Sequence, residues 1–431
     1  MGREGIVPLV ESRPFFDTLS FEGAYRYSDY DSAGKVPTWK ALFNYAPVNF
    51  LHIRGGVQVA NRAPNINELY LNASTQAVTL RAADFCSSVT TETSGNNPRN
   101  PNRAKAQALC SAQIGNPTST FDADPNNYIG GRTDGVLLNS SSGNLDLKSE
   151  DGRTYTLGFV LTSPFETPAL QATTLSMDYY KAKITNAIAT VTAQSTFDLC
   201  FNRDGVSNPN YLIDDPNHLC RNIQRDAQTG AVTQVLSQFQ NLGLIKTNGL
   251  DVSLNWRAAM EDIGLASLPG HLSANIAYTK LFSFKAQEFP TAPLLENAGT
   301  LARQGLFDWR SITTLRYMMP TWNVGLEWRH LPSAKNQNFV TDPTTPVQGA
   351  GKYDLFGLTG EWNATDNLTF SGGVDNLFNR EPEKIGIGQI TNIAATSGGG
   401  TTIADGVASN PLPGYYDVLG RRYFLNVKLA F

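Results

Sequence analysis

Charge is scarce in this chain. Lys, Arg, Asp and Glu together make up 17% of its 431 residues, against roughly 25% in an ordinary soluble domain. The formal balance is −4, which gives no cationic footprint for nucleic acid, so no nucleic-acid partner is expected. Long apolar runs are missing as well: nothing approaches the roughly 18 uninterrupted apolar residues of a transmembrane helix. Histidine occurs only at His52, His218, His271 and His330. With these so far apart, and no G-x-S-x-G, H-E-x-x-H or P-loop, we expect no catalytic site, resident metal or cofactor. The amino terminus, Met1-Gly2-Arg3-Glu4-Gly5, has no apolar core of a secretory signal and no myristoylation pattern. Aromatic residues, by contrast, are plentiful at 10%, and they argue against disorder.

Cysteine is limited to Cys86, Cys110, Cys200 and Cys220. Four cysteines allow three connectivities, of which the sequence-local pairing of 86 with 110 and 200 with 220 is the simplest. Free thiols and metal binding are the alternatives, although no C-x-x-C is present. Two disulfides would imply an oxidising compartment.

What the chain does have is alternation with a period of two. It is plain in Leu19-Ser20-Phe21-Glu22-Gly23-Ala24-Tyr25, in Val252-Ser253-Leu254-Asn255-Trp256, and in Tyr423-Phe424-Leu425-Asn426-Val427-Lys428-Leu429. Side chains of a strand point to alternate faces, so each segment has an apolar and a polar face. About twelve such strands are expected, near 15–30, 36–47, 50–62, 149–164, 170–190, 238–257, 270–286, 308–319, 321–333, 352–363, 367–379 and 420–431. Several are twice the usual strand length or more.

The connections alternate between short and long. Short ones fall at Pro47–Asn49, Ser163–Pro168, Ala258–Pro269, Pro320 and Ala364–Asp366. Long ones run across about 63–148, 191–237, 287–307, 334–351 and 380–419; only Asp31–Lys35 breaks the contrast. In an up-and-down meander, alternate connections lie at opposite ends. An all-β, antiparallel transmembrane barrel with tight periplasmic turns and long extracellular loops has this asymmetry. A soluble sandwich or propeller also alternates, but does not sort its connections by parity. Aromatics near strand ends (Tyr25, Tyr27, Tyr179, Tyr180, Trp256, Trp309, Trp322, Trp328, Trp362, Tyr423) suit an interfacial girdle.

Four ordered landmarks carry a family resemblance. Arg54-Gly55-Gly56-Val57 through Arg62-Ala63-Pro64-Asn65-Ile66-Asn67-Glu68-Leu69-Tyr70 resembles the "RGGYSxGFRAPxxxELY" stretch of TonB-dependent outer-membrane receptors. Gly372-Gly373-Val374-Asp375-Asn376-Leu377-Phe378-Asn379-Arg380-Glu381-Pro382 resembles their "GVxNLFDxxP" segment, and Gly420-Arg421-Arg422-Tyr423 through Phe431 their closing "GRRYxLxVxxxF" strand. Lys246–Val252 is similar to the family's "xxGID" strand entry. The resemblance implies a 22-stranded barrel closed by a plug and powered through TonB. It implies import of a scarce ligand such as an iron–siderophore, haem, cobalamin or a saccharide. Only about twelve strands and no plug are legible in these 431 residues. The expectation is therefore a carboxy-terminal barrel portion, with TonB a partner only where a plug is supplied. A self-contained porin-like or enzymatic barrel, and a soluble carbohydrate-binding module, are the alternatives.

The same resemblance makes Tyr423, Leu425, Val427, Leu429 and Phe431 a signal for the barrel-assembly machinery, with membrane lipid as the other partner. Ligand contacts are expected from long-loop side chains: Arg62, Asn65, Asn67, Glu68, Asn72, Tyr128, Arg132, Phe201, Arg203, Tyr211, Arg221 and Arg225. Arginine suits carboxylates or phosphates, and Tyr or Phe can stack on rings. Asp122-Ala123-Asp124-Pro125-Asn126 begins like an oxygen-rich calcium loop but has Thr133 where a bidentate Glu belongs, and reads better as a turn.

Overall fold

The computed structural model describes residues 2–30, 34–79, 84–87, 95–114, 136–203, 205, 207–214, 219–227, 230–287, 294–301, 306–336, 349–383 and 415–430. Tyr128, Arg132, Phe431 and the calcium-like segment at 122–133 lie outside the described residues. The chain opens with strands β1 (Gly2–Arg13), β2 (Phe16–Tyr30), β3 (Gly34–Val48) and β4 (Leu51–Arg62). The first long connection holds α1 (Ile66–Tyr70), β5 (Ser74–Thr79), α2 (Arg103–Ile114) and β6 (Val136–Ser142). Next come β7 (Glu150–Thr162), α3 (Pro168–Gln171), β8 (Ala172–Thr190), α4 (Ala193–Cys200) and β9 (Ile223–Arg225). β10 (Val232–Ala259) and β11 (His271–Gln287) follow, then the short loop strands β12 (Leu295–Glu296) and β13 (Thr300–Leu301). The remainder is β14 (Trp309–Met318), β15 (Trp322–Leu331), β16 (Ala334–Asn336), β17 (Gly349–Ala350), β18 (Tyr353–Thr365), β19 (Leu368–Asp375) and β20 (Arg422–Leu429).

Thirteen of these strands form one antiparallel meander. Its neighbours run β1-β2-β3-β4-β7-β8-β10-β11-β14-β15-β18-β19-β20. The sheet is not closed: no pairing joins β20 to β1 among the described residues. The twelve expected strands are all present, and β1 is an additional one. It escapes a period-two reading because its register with β2 shifts between Pro8 and Val10. Val7 and Val10 consequently face the same side although they are three positions apart, an odd step that would otherwise put them on opposite faces. Proline is tolerated there because it sits in an edge strand at a bulge.

The register assigns every strand a polar and an apolar face. Tyr25, Trp39, Val59 and Arg153 share one side, and Glu4, Ala24, Lys40 and Gln58 the other. Of the ten girdle aromatics, Tyr180 faces the polar side, in register with Gly249, and the rest lie on the apolar side. Near the short turns, three apolar-face aromatics spend their polar tips on turn carbonyls. Tyr45 donates to Phe15 O (2.8 Å), Trp256 Nε1 to Ala169 O (2.7 Å) and Tyr317 to Pro269 O. An amphipathic ring whose tip is bonded in this way keeps its apolar body on the sheet surface.

The five long connections lie at one end of the sheet and the tight turns at the other. The loops pack over the polar side, because Leu331, Tyr353 and Leu355 on that face join a loop-built core. The polar face is thus the inner wall.

Candidate functional site

The upper end of β4 is built around one guanidinium. Arg62 forks onto Glu150 of β7 through Nε and Nη2 (both 2.7 Å) and onto Glu68 through Nη1 (2.9 Å) and Nη2 (3.0 Å). Asn65 caps α1: its Oδ1 accepts from Glu68 N (2.9 Å) while Glu68 Oε2 accepts from Asn65 N (2.8 Å). This reciprocal box satisfies two helix-end donors. Gly143 N and Asn144 N then bond Leu71 O and Glu68 O, bringing the segment that follows β6 against the helix. A Cβ on Gly143 would stand 2.5 Å from Leu69 O, so only glycine fits that approach. Arg62, Asn65 and Glu68 therefore hold one another, whereas Asn67 and Asn72 are exposed.

Above this rim the two longest connections fold together into a cap. Disulfides Cys86–Cys110 and Cys200–Cys220 each close within one connection. All four sulfurs lie in one apolar core with Phe85, Leu109, Phe197, Phe201, Tyr211 and Val235. The rings of Phe85 and Phe201 stack at 4.5 Å. Phe201 and Tyr211, expected to touch ligand, thus spend their rings on the cap core. Burial pushes the Tyr211 hydroxyl up, although Asn102 hydrogen-bonds it.

The connections meet at a polar knot. Arg225 and Asp84 are both fully buried. Arg225 donates to both Asp84 oxygens (Nη2 to Oδ1 2.8 Å), to Gly230 O (2.9 Å) and through Nε to Gln113 Oε1 (3.0 Å). Gln113 Nε2 in turn donates to Cys220 O (3.1 Å). Arg203 pairs with Asp198 (3.3 Å) and Arg221 with Asp214, both at the cap surface.

The other three long connections form a second cluster around Leu301, Ala334, Ala350, Tyr353 and Tyr416, with Phe307 and Tyr415 packed on it. Arg380 lies 6.0 Å from the centroid of the Tyr353 ring. The turn after β19 explains the "NLF" landmark. Asn376 and Asn379 take φ of 52° and 53°, a left-handed conformation that asparagine tolerates. Asn376 brackets Arg380 by accepting from its N (2.6 Å) and donating to its O (2.9 Å), while Asn379 Oδ1 accepts from Arg421 N (3.0 Å). Burial raises the Asp417 carboxyl, but Leu419 N–H and Arg422 outweigh this and hold it below the usual carboxylate range. Burial pushes the Tyr416 hydroxyl well up, and it has no hydrogen-bond partner among the described residues.

Lower on the inner wall, two arginines cross a glycine to reach the second strand over. Arg54 lies opposite Gly158, which lies opposite Asp178. Its guanidinium forks onto that carboxylate at 2.9 and 2.7 Å. Arg316 passes Gly325 in the same way, bonding Thr359 Oγ1 (3.2 Å) and Asn323. Between β1 and β4 a groove of about 530 Å³ contains Glu4 and Lys40; Lys40 bonds Glu4 (2.6 Å) and Glu22. Tyr423, Leu425, Val427 and Leu429 line the apolar face of the β20 edge and are 53–77% exposed. These arrangements offer charge, hydrogen bonds and aromatic rings, which suit recognition. Among the described residues no three His, Cys, Asp or Glu side chains group as metal ligands.

Comparison with known proteins agrees in architecture. Residues 11–377 match the family model described as TonB dependent receptor-like, beta-barrel. No curated protein sequence matches the chain. A mutant of the ferric enterobactin receptor PfeA from Pseudomonas aeruginosa superposes with a TM-score of 0.56 at 14% identity, over 96% of this chain and 43% of that one. The siderophore receptor PirA from Acinetobacter baumannii gives 0.53 at 13% identity, over 96% and 44%. At such identities the likeness is one of fold, and the chain spans less than half the length of either.

Proposed function

We propose, from the premise that the chain belongs to the TonB-dependent receptor β-barrel family, that it is the wall and outer vestibule of an outer-membrane receptor for a scarce small ligand. Matching of the family model over 11–377 carries this reading. It is supported by the gathering of all five long connections at one end, over a polar inner face. A ligand arriving from outside would meet the cap and the Tyr353 cluster before the charged wall. Iron–siderophore complexes are the first ligand class to test, since the structures of like fold are siderophore receptors by name; haem, cobalamin and saccharides follow. Asn67, Arg203, Arg221, Tyr128 and Arg132 are proposed as loop contacts to that ligand, with Arg62, Asn65 and Glu68 shaping the rim beneath. TonB would act through a plug, and the barrel-assembly machinery would read the β20 edge.

Two measurements test this. Expressed in a Gram-negative host, the chain should fractionate with the outer membrane and migrate differently in gels before and after heating; a soluble, heat-insensitive product would refute the reading. The purified chain titrated with ferric siderophores, haem, cobalamin and oligosaccharides should show saturable quenching of tryptophan fluorescence with one class. Quenching by none would remove the receptor assignment while leaving the barrel.

A further inference from the structure

The apolar face carries a row of cations that form no ion pair among the described residues. Arg153 of β7 lies directly opposite Lys183 of β8, Lys183 opposite Lys246 of β10, and Lys246 opposite Lys285 of β11. Four cations thus stand side by side across four neighbouring strands, with Lys181 one step lower beside Tyr155 and Asn248. Directly opposed side chains have Cβ atoms about 5 Å apart, and like charges so placed destabilise a sheet. Arg153, Lys181, Lys183 and Lys246 are exposed and Lys285 half-buried. None of the five side chains makes a hydrogen bond or ion pair among the described residues. The nearest acids on this face are engaged elsewhere: Asp151 accepts from Asn61 and Asn186, and Asp308 holds Lys280. Glu296, opposite Lys285, is close enough to feel its charge and so offsets that one cation in part, but it spends its hydrogen bonds on Ser283 Oγ and the N–H groups of Phe284 and Ala298.

The height of the row identifies its counter-charge. Below it the same face of β7, β8 and β10 is apolar: Leu157, Tyr179 and Leu250 in one row, then Phe159, Met177 and Val252, then Leu161, Leu175 and Leu254; on β11 Lys280 stands opposite Leu250, paired with Asp308. Trp256, tied to the Ala169 carbonyl of a short turn, marks the lower end. Ten residues separate Lys246 from Trp256. At about 3.3 Å per residue and a strand tilt of about 40°, they span roughly 25 Å of height, the thickness of the apolar band of an outer-membrane barrel. The row therefore stands where apolar chains end and headgroups begin, on the side of the long loops.

We infer that Arg153, Lys183, Lys246 and Lys285, with Lys181 below, form a binding site for the phosphates of anionic lipid headgroups in the outer leaflet. Each phosphate oxygen can accept from cations on two strands at once, which turns the repulsion along the row into attraction. The inference rests on the outer-membrane reading above.

The test uses the full chain and two kinds of vesicle, phosphatidylcholine alone and phosphatidylcholine containing lipid A, a phosphorylated glycolipid. The variant Arg153→Gln/Lys183→Gln/Lys246→Gln/Lys285→Gln should insert into neutral vesicles as the unaltered protein does, with the same heat-modifiable band. Its preference for lipid A should fall by about fivefold per charge removed, a few hundred-fold in all. The single Lys246→Gln should show about fivefold, which keeps the test valid if the quadruple variant inserts poorly. Lys428→Gln on the inner face should change nothing. Undiminished preference in both row variants would overturn the inference, and so would equal competition by free inorganic phosphate, which would make the row a site for soluble anions. Failure of the unaltered protein to enter either vesicle would overturn the membrane reading and this inference with it.

Discussion

Replacing Arg225 by methionine isolates what joins the two halves of the cap. Each disulfide closes within its own connection, so the charged link between connections is the buried contact of Arg225 with Asp84 and Gln113. Methionine fills part of the volume but removes four hydrogen bonds, to both Asp84 oxygens, Gly230 O and Gln113 Oε1. Asp84 would keep only the Cys86 N–H (3.1 Å) against its charge. Stranding one partner of a fully buried pair costs about 3–5 kcal/mol, and each 1.4 kcal/mol is about tenfold in an opening equilibrium. Amide exchange at Cys86 and Val235 should therefore speed up by a hundred- to a thousand-fold, while amides in the β7–β8 ladder keep their rates. The paired variant Asp84→Leu/Arg225→Met removes both charges and should recover most of the loss, because a well-packed apolar pair can replace a buried ion pair at little cost. A change below about fivefold in the single variant would refute the knot. So would a double variant as open as the single one.

The crossing of Arg54 over Gly158 predicts that Gly158→Ala costs about 1–3 kcal/mol. The new Cβ would stand 2.1 Å from Asp178 Oδ1, and the loss should appear as a lower temperature for the heat-induced gel shift. Removing Cys86–Cys110 by paired serine substitutions should loosen the cap by about 3 kcal/mol for a loop of this size, measured by protease sensitivity near α2, with the gel shift unchanged. Asp417 titrates below an ordinary carboxylate in the folded protein. Its contribution is therefore fully present above the unfolded value of about 3.9 and is lost as pH falls through the lower folded value. Proteolysis between β19 and β20 should rise in that acid range, and Asp417→Asn should abolish the dependence; a variant with the same pH profile would exclude Asp417 as its source.

The strands were legible because each must show one face to a different medium, which writes period two into the sequence. The parity of long and short connections then revealed which end carries the loops. β1 was missed because the bulge at Pro8 breaks the alternation on which that reading depends. The local cysteine pairing was readable from spacing. The cap was not, since Phe85, Phe201 and Tyr211 come from distant, polar stretches and nothing local shows that they share a core. Nor could sequence show that Arg62, Asn65 and Glu68 satisfy one another. The landmark containing them marked a rim, and their bonding follows from a capping box whose acidic member also faces a strand-end arginine. The basic row was invisible for a similar reason, because Arg153, Lys183, Lys246 and Lys285 become neighbours only through register.

Thirteen strands in a strictly antiparallel order leave the first and last pointing the same way. β1 begins at the loop end, where Gly2 faces Arg26, and runs to the turn where Arg13 faces Phe16. β20 likewise runs from Arg422, beside Asp375, to Leu429, beside Leu368. If these two edges met directly they would create the single parallel seam of an otherwise antiparallel wall, with slanted and slightly weaker bonding. An odd number of intervening strands, starting and finishing with one that points toward the loops, would preserve the alternation throughout. The direction of the two edges thus acts as a selection rule, deciding by polarity alone which strands can continue the wall.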